Sequence, residues 1–283
     1  MHIIVGVDES ASGEAALRWA LRVAALAGAS VEAVRSWVYS PVPSRQLLPA
    51  DEMDRLAEAG LNSTIASQSA VGIAIRTTVV RGPAHHAMLD LIDQRRPDLV
   101  VVGRRGGNER ALPRALGSVS RRLVDASPCP VAVVTEDRVD AGPTPLVMVA
   151  VDGSPHSERA LRWAVSFARA TGGSVLVAHV IGWVGSVGQV TELSDQARDM
   201  LDRAVAATQS QGVEAASVTG FGDPRRELER IADEHAVDVI VVGPRGVGGI
   251  TKLVLGTVAA HLSEHAERPV VVVPTGPHDT ETP

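Results

Sequence analysis

Glycines at a regular spacing in the second half of the chain are the residues best suited to binding chemistry. The segment GPRGVGGITKLVLGT fits the pattern G-x2-G-x9-G-[ST] through Gly243, Gly246, Gly256 and Thr257. Glycines accept positive φ and let the backbone approach a ligand closely, so successive N–H groups can point inward and hold an anion. The final Gly-Thr pair begins a predicted helix, whose first amides attract negative charge. The pattern therefore predicts a phosphate-binding loop.

A related segment, GRRGGNERALPRALGS, lies in the first half of the chain and departs from this pattern by one residue. Ten positions separate Gly106 from Gly117, and nine separate Gly107 from Gly117. Gly103 before them and Ser118 after them correspond to Gly243 and Thr257. This loop is therefore also predicted to bind phosphate, with a geometry that the inserted residue alters.

Better-known phosphate-binding motifs do not fit the chain. A Walker A loop requires a glycine directly before its lysine, whereas Lys252 follows Thr251. The G-x-G-x-x-G of a dinucleotide site does not follow the first apolar run, and neither does the Ser-Gly-Gly loop of ATP pyrophosphatases. The spacing therefore indicates a different kind of phosphate site.

Other residues with reactive side chains form weaker patterns. The adjacent His85 and His86 would face different directions on a helix and have no further metal ligands nearby in sequence, so we expect no metal site. Cys129 lies between two prolines where the second half has Arg268, which argues against a catalytic thiol. A cluster of arginines is expected to form a solvated helix face that pairs with local acids: Arg104, Arg105, Arg110, Arg114, Arg121 and Arg122.

The elements that must position these loops occur twice in the chain. IIVGVDESASGEAALRWA near the start matches VMVAVDGSPHSERALRWA, so Asp8 corresponds to Asp152 and Trp19 to Trp163. The two tryptophans are predicted to pack in a core or between domains. A duplicated domain is therefore predicted, rather than a short-period repeat. Its parts are copy one (1–136), a linker (137–145), copy two (146–275) and a mobile tail (276–283).

Short valine-rich runs alternate with helical patterns in each copy. The runs lack clean polar alternation, as expected for parallel strands buried on both faces. Residues 13–27 put Ala16, Ala20, Val23 and Ala27 on one helix face, and Pro83 begins another helix. In copy one the predicted strands are 3–7, 31–34, 73–80, 99–102 and 131–134. The fold class is therefore α/β, with two tandem doubly wound domains, each a five-stranded parallel sheet flanked by helices.

Composition excludes several classes of protein. Hydrophobic residues make up 45% of the 283 and aromatic residues 2%, so the cores must be built from aliphatic side chains. The net charge of −6 argues against a broad basic surface for nucleic acid. No apolar run reaches the ~18 residues needed to span a bilayer, so no membrane partner is expected. The single cysteine, Cys129, rules out a disulfide framework, and we expect a cytoplasmic location.

Four motifs in a fixed order carry a family resemblance. V-D at the end of the first strand, VVG-x-RG, G-[ST]-V and P-V-x-V-V occur in both copies, and together they resemble the universal stress proteins. The resemblance covers both copies and leaves out the linker and the tail. Within that family the ATP-binding branch keeps the glycine loop, so the resemblance implies that ATP is bound together with Mg²⁺.

The resemblance also implies roles for individual residues. Asp8 and Asp152 would contact the ribose or adenine region, and the backbone near Ser36 and Val180 would read adenine. Arg114 and Lys252 could supply charge for the triphosphate. The strand ends flanking the ligand would be Gly6, Val102, Ala150 and Val242. The phosphates would be wrapped by Gly103, Gly106, Gly107, Gly117, Ser118 and Val119 in copy one, and by Gly243, Gly246, Gly256, Thr257 and Val258 in copy two.

Three functions are compatible with these patterns. The leading hypothesis is an ATP-binding regulator of stress tolerance or growth with at most slow hydrolysis, because neither loop offers an evident catalytic base beyond Asp8 and Asp152. The second is a dedicated ATPase or nucleotidyl transferase in which Asp152 holds Mg²⁺. The third is an interaction module that binds no nucleotide. The resemblance also implies a homodimer, in addition to pairing of the two copies through their last strands.

Overall fold

In the computed structural model the chain divides into two compact units, Met1–Val139 and Asp140–Pro283. The structure describes residues 1–39, 48–68, 72–107, 115–136, 143–182, 187–247 and 255–275, with 187–190 described by backbone alone. Residues 137–142 of the predicted linker and the whole predicted tail lie outside these residues, as do Arg110, Arg114 and Lys252.

Within its described residues, the first unit alternates five strands with four helices. The strands pair in parallel in the order β3-β2-β1-β4-β5, so the first strand lies in the middle and the chain winds outward from it in both directions. The elements are β1 (His2–Gly6), α1 (Ala11–Ala27), β2 (Ser30–Trp37), α2 (Ala50–Ala66), β3 (Ile75–Arg81), α3 (Ala84–Arg95), β4 (Leu99–Gly103), α4 (Ser118–Ala126) and β5 (Val131–Val134).

The second unit repeats this plan. Its strands pair in parallel in the order β8-β7-β6-β9-β10, which is the same winding about a central first strand. The elements are β6 (Leu146–Ala150), α5 (Pro155–Thr171), β7 (Ser174–Ile181), α6 (Val187–Gln209), β8 (Ala215–Phe221), α7 (Pro224–Glu234), β9 (Val239–Val242), α8 (Thr257–His265) and β10 (Val270–Val272). The predicted fold class is therefore confirmed.

The first helix of each unit begins at a serine cap. The side chain of Ser10 accepts a hydrogen bond from the Gly13 amide, and Ser154 accepts one from Ser157. Such caps satisfy first-turn amides that have no partner within the helix. Because Ser10 is the cap, α1 begins at Ala11, two residues before the start that hydrophobic periodicity predicts.

The core of each unit lies between the central strands and the helices that cover them. The strand residues Ile3, Ile4 and Val5 are fully buried, as expected for a strand covered on both faces. Helix α1 is buried more widely than its predicted face, since Trp19 is also buried. Trp163, its counterpart, is half-buried and stacks on Phe167 with ring centroids 5.0 Å apart.

The second strand of copy one is longer than its apolar run. Residues Arg35, Ser36 and Trp37 continue the parallel pairing, opposite Val79, Val80 and Arg81 of β3. The predicted strand over 31–34 was therefore too short. Its polar end brings Ser36 and Trp37 to the carboxyl edge of the sheet, where the site residues are found.

Candidate functional site

The predicted site residues gather at the carboxyl ends of the central strands in each unit. In copy one, β1 lies between β2 and β4, and in copy two β6 lies between β7 and β9. The chain leaves the central strand toward one side of the sheet and later returns on the other, so the loops after these strands diverge and leave a crevice. Ligands of open parallel sheets bind at such a switch point.

In copy two the glycine loop is packed tightly against the start of α5. A Cβ atom at Gly243 would lie 3.0 to 3.1 Å from the carbonyl group and Cβ of His156, closer than side chains ordinarily tolerate. The loop returns to the strand end through a hydrogen bond of 2.7 Å from the Gly256 amide to the carbonyl of Pro244. Close packing against α5 thus explains the glycine at 243.

Helix α8 begins directly after this loop. Gly256 is its N-cap and provides no side-chain cap, so the first-turn amides of Thr257 and Val258 are not capped by that position. Both residues line the crevice. Uncapped amides at the positive end of a helix dipole are a common means of binding phosphate.

Asp152 ties the loop to the central strand. One carboxylate oxygen accepts a hydrogen bond of 2.7 Å from the Val247 amide, and the other accepts one of 3.0 Å from the Ser154 amide. A Cβ atom at Gly246 would overlap this carboxylate. Asp152 is therefore not the helix cap, which is Ser154, but the group that fixes the start of the glycine loop.

The hydrogen bonds also set the acidity of Asp152. Burial acts to raise the pKa of this carboxyl, but hydrogen bonds from Ser154, Val247 and Ser157 favour the charged form and hold the pKa below its usual value. Asp152 is thus ionised at neutral pH. An ionised carboxylate that already accepts amide hydrogen bonds is a weak candidate for a general base.

The crevice of copy two is a cavity of about 620 Å³. This volume falls within the roughly 300–1,000 Å³ typical of small-molecule sites. The predicted site residues that line it are Ala150, Asp152, Val180, Val242, Gly243, Gly246, Gly256, Thr257 and Val258. The prediction missed others, including Ile181, Gly182, Leu193, Pro224, Leu228 and Arg245.

Some of the missed residues had a signal in the repeat. Pro224 and Leu228 of α7 correspond to Ala84 and Met88 of α3, and all four line their cavities. Leu193 had no such signal, because it reaches the site from α6, far from any glycine motif.

In copy one Asp8 anchors the glycine loop in the same way as Asp152 does in copy two. Its carboxylate accepts hydrogen bonds from the amides of Ser10 and Gly107, each 3.1 Å long, and from the Ser10 hydroxyl. The loop returns through a hydrogen bond of 2.8 Å from the Gly117 amide to the carbonyl of Arg104. The extra residue of this loop therefore leaves the anchoring of both loop ends intact.

The cavity beside Asp8 is much smaller, about 110 Å³. Most of the predicted site residues of copy one line it, while Gly107 instead donates its amide to Asp8. Arg105 lines it and was not predicted to bind ligand. The predicted residues that line it are Gly6, Asp8, Ser36, Val102, Gly103, Gly106, Gly117 and Val119. Ser118, at the first position of α4, is not among them.

The remaining reactive residues lie outside the two crevices. The rings of His85 and His86 contact each other, 4.2 Å between centroids, and the described residues contain no group of three or more metal-ligating side chains. Burial raises the pKa of the Cys129 thiol, although the Ser127 hydroxyl partly offsets it. The prediction of a solvated arginine face is wrong for Arg104, which is buried at the end of β4. Arg121 and Arg122 are exposed on α4.

Comparison with known proteins identifies related chains. The family model described as "Universal stress protein family" matches residues 1–135 and again 146–274. A universal stress protein of Mycolicibacterium smegmatis is 30% identical over 96% of each chain, and one of Mycobacterium tuberculosis is 30% identical over 95% of this chain and 96% of its own length.

A solved structure has the same fold along the whole chain. The crystal structure of a universal stress protein from Archaeoglobus fulgidus superimposes with a TM-score of 0.74, covering 98% of this chain and 97% of its own, at 20% identity. Within the described residues, no helix has both the length and the apolar composition required to cross a bilayer.

Proposed function

This chain belongs to the universal stress protein family, and from that premise we propose that it is an adenine-nucleotide-binding regulator whose principal site is the crevice of copy two. The observation that carries the proposal is a cavity of about 620 Å³ with the glycine loop and the uncapped start of α8 at its wall. The preferred ligand is ATP, with Mg²⁺ accompanying its phosphates.

The two ends of the cavity suit the two ends of such a ligand. One end is formed by Gly246, Thr257 and Val258, whose backbone amides suit phosphate oxygens. The other is formed by Val180, Ile181 and neighbouring apolar side chains at the end of β7. An apolar wall with exposed backbone groups suits a flat base that is held by stacking contact and recognised by hydrogen bonds.

The side chains of the cavity favour regulation over catalysis. Among the described lining residues the groups able to transfer a proton near neutral pH are few, and Asp152 is held ionised by its hydrogen bonds. The Nδ1 of His179 lies 2.7 Å from the carbonyl of Val151, and because a carbonyl can only accept, this nitrogen carries its hydrogen and the contact fixes the ring. We therefore expect hydrolysis to be slow, and nucleotide occupancy to act through conformation or partner contacts.

The test is to measure nucleotide binding and its dependence on Asp152. Mass analysis of nucleotide released on denaturation identifies the ligand, and titration with Mg-ATP, ADP and AMP gives affinity and stoichiometry. Asp152→Asn should weaken ATP binding by about tenfold or more, equivalent to ~1.4 kcal/mol, because it loosens the loop that holds phosphate. Asp195→Asn is the matched control, since Asp195 is an exposed acid on α6 in a surface ion pair.

Two results would contradict the proposal. If no adenine nucleotide is released and none shifts the thermal transition, the chain is an interaction module. If single-turnover hydrolysis is as fast as that of ordinary ATPases, at about 1 s⁻¹ or more, and Asp152→Ala abolishes it, the chain is an enzyme.

The location and assembly of the protein extend the proposal. A cytoplasmic location agrees with the single cysteine and with the family. We also propose a homodimer, which light scattering of the purified chain would test. A strictly monomeric mass over the accessible concentration range would remove it.

A further inference from the structure

The backbone near Ser36 and Val180 is predicted to contact adenine, and the residue that follows this position differs between the copies. In copy two it is Ile181, which is buried and lines the cavity next to Gly182 and Leu193. In copy one the corresponding residue is Trp37, since β1 pairs with β2 and β6 with β7 in the same register. A tryptophan is far larger than an isoleucine, so the two copies differ in side-chain volume near the place where the base of a nucleotide would lie.

Trp37 is fixed in place by an ionic network. Its indole N–H donates a hydrogen bond of 2.8 Å to Asp54 on α2. The Arg81 guanidinium, at the end of β3, binds Asp54 through Nε at 3.1 Å and Asp51 at 2.9 Å. Hydrogen bonding from Arg81, with a further contribution from Trp37, holds the pKa of Asp54 below its usual value, so the network is intact at neutral pH.

The ring of Trp37 also packs against an aromatic neighbour. Tyr39 packs edge-on against it with centroids 5.0 Å apart, and the Tyr39 hydroxyl donates a hydrogen bond of 3.0 Å to the carbonyl of Leu48. Edge-to-face aromatic pairs are stabilising beyond simple burial. The indole is therefore anchored by both hydrogen bonding and packing, and it joins the ends of β2 and β3 to the start of α2.

Copy two lacks the residues for this network. The buried residues Ala57 and Leu61 of α2 correspond to Ala197 and Leu201 of α6, which aligns Asp51 and Asp54 with uncharged side chains. The network residues Trp37, Asp51, Asp54 and Arg81 correspond to Ile181, Thr191, Ser194 and Phe221. No ion pair can form among these counterparts, and the indole that it would hold is absent.

The cavities differ as this exchange predicts. The copy-two cavity extends from the glycine loop past His179, Ile181 and Gly182 to α6. Among its described residues, the copy-one cavity is lined on β2 by Val34 and Ser36 and also by the glycine loop. Its volume is about 110 Å³, against about 620 Å³ for the copy-two cavity. Among the described lining residues, the copy-one cavity has no counterpart of Ile181, Gly182 or Leu193, which line the side of the copy-two cavity where the nucleoside would lie.

We propose that Trp37, anchored by Asp54 and Arg81, closes the nucleoside side of the copy-one site, so that the residue at positions 37 and 181 determines which copy takes a nucleotide. This inference rests on the proposed nucleotide binding in copy two. It predicts one nucleotide per chain, although both copies carry a glycine loop.

The experiment exchanges the three residues between the copies and counts bound nucleotide by equilibrium dialysis with Mg-ATP. The wild-type chain should bind one equivalent. The variant Trp37→Ile/Asp54→Ser/Arg81→Phe, which gives copy one the residues of copy two, should bind two, with the new site within about tenfold of the first in affinity. The reciprocal variant Ile181→Trp/Ser194→Asp/Phe221→Arg should bind none.

The outcomes separate this inference from the function on which it rests. No binding by the wild-type chain contradicts the proposed function itself. Two equivalents bound by the wild-type chain leave that function standing and overturn the closure of copy one. The proposed closure of copy one is also overturned if the variant Trp37→Ile/Asp54→Ser/Arg81→Phe, here called the opened variant, binds only one equivalent. If the opened variant does not fold, full binding retained by the folded reciprocal variant overturns the assignment of positions 37 and 181.

Discussion

In copy one, Gly103 at the end of β4 lies close against the backbone of Ser12 in α1. In copy two, the equivalent contact between Gly243 and His156 of α5 is looser. A Cβ atom at Gly103 would lie 2.7 Å from the carbonyl carbon and oxygen of Ser12, and at Gly243 it would lie 3.0 to 3.1 Å from His156. The acids that anchor the loops, Asp8 and Asp152, nevertheless make equivalent hydrogen bonds in both copies. The duplication has thus kept the backbone frame of the site, while side chains around it have diverged.

The divergence extends to the opposite end of copy one. Glu32 on β2 is 1% exposed and accepts a hydrogen bond of 2.7 Å from Thr78 on β3. His2 and Arg95 each lie 3.7 Å from its other oxygen. In copy two the positions of Glu32 and Thr78 hold Leu176 and Val218. A buried polar cluster in one copy therefore stands where the other has an ordinary apolar core.

The largest expected effect is the steric one at Gly103. Gly103→Ala should lower the free energy of unfolding of copy one by about 3 kcal/mol, because the added methyl meets backbone that cannot rotate away. Gly243→Ala should cost copy two about 1 kcal/mol, since its neighbours are slightly farther away. Urea titration read by hydrogen-exchange mass spectrometry resolves the two copies in one sample.

Gly107→Ala is the control for the Gly103 variant. Its new methyl would lie 3.7 Å from the Cβ of Ser10, an ordinary contact, so copy one should keep its stability. Equal losses from Gly103→Ala and Gly243→Ala would mean that both contacts relax, and that the tighter packing of copy one has no energetic consequence.

Much of this frame is predictable from the chain alone. The valine-rich runs predict the strands because burial on both faces requires apolar residues at every position. The Gly-Thr at 256–257 predicts the start of α8 because a glycine before a helix leaves its amides for another partner. The internal repeat gives each such observation twice, which is why Asp8 and Asp152 were both predicted as site residues.

The features that distinguish the copies were not predictable in the same way. Trp37 and Asp54 meet across α2 and β2, and Glu32 and Thr78 meet across β2 and β3. Neither contact follows from hydrophobic periodicity, because both depend on sheet register and on where a helix lands. The burial of Arg104 was missed for a different reason, since a charged residue is ordinarily exposed.

The next effect in size concerns the polar cluster of copy one. Thr78→Val should destabilise copy one by about 1–3 kcal/mol, because it removes a donor from a buried charge. Glu32→Leu, which introduces the copy-two residue, should be neutral or stabilising, since a buried ion pair is often no better than apolar packing. In the double variant Glu32→Leu/Thr78→Val, the valine should then have little further effect on stability. Urea unfolding of the wild type, the two single variants and the double variant completes this double-mutant cycle.

Thr77→Val is the control for the Thr78 variant, because adjacent side chains of a strand point to opposite faces and Thr77 therefore points away from Glu32. If Thr78→Val costs the same with and without Glu32, the hydrogen bond contributes nothing. The buried acid would then be stabilised by His2 and Arg95 alone.

A smaller effect is expected from the acid that anchors the copy-two loop. Asp152→Asn should cost about 1 kcal/mol at neutral pH, because one of the amide hydrogen bonds to the carboxylate is lost. The pKa of Asp152 is lowered in the folded state, so its contribution is present above the unfolded value of about 3.9 and is lost as pH falls through the folded value. Stability should therefore fall more steeply with acid in the wild-type chain than in the variant.

Urea midpoints of copy two between pH 7 and pH 3 give the comparison. The difference between wild type and Asp152→Asn should shrink as the pH falls. A difference that is constant over this range would show that the carboxylate's charge is not what holds the loop. Copy one, followed in the same samples, should not respond to the substitution.

The smallest effect is at the position where the copies carry Cys129 and Arg268. Arg268 is buried and donates to the carbonyl of Ala232 and to Asp233, whereas Cys129 is hydrogen-bonded to Ser127. Burial raises the pKa of the Cys129 thiol, so less reactive thiolate is present at neutral pH and alkylation by iodoacetamide should be slower than for free cysteine. The rate should rise with an inflection above the ordinary thiol pKa of about 8.5. Ser127→Ala should slow it further, because that hydroxyl partly stabilises the thiolate. Labelling at pH 7 that is faster than that of free cysteine would instead indicate an activated thiol and would contradict the prediction that Cys129 is not catalytic.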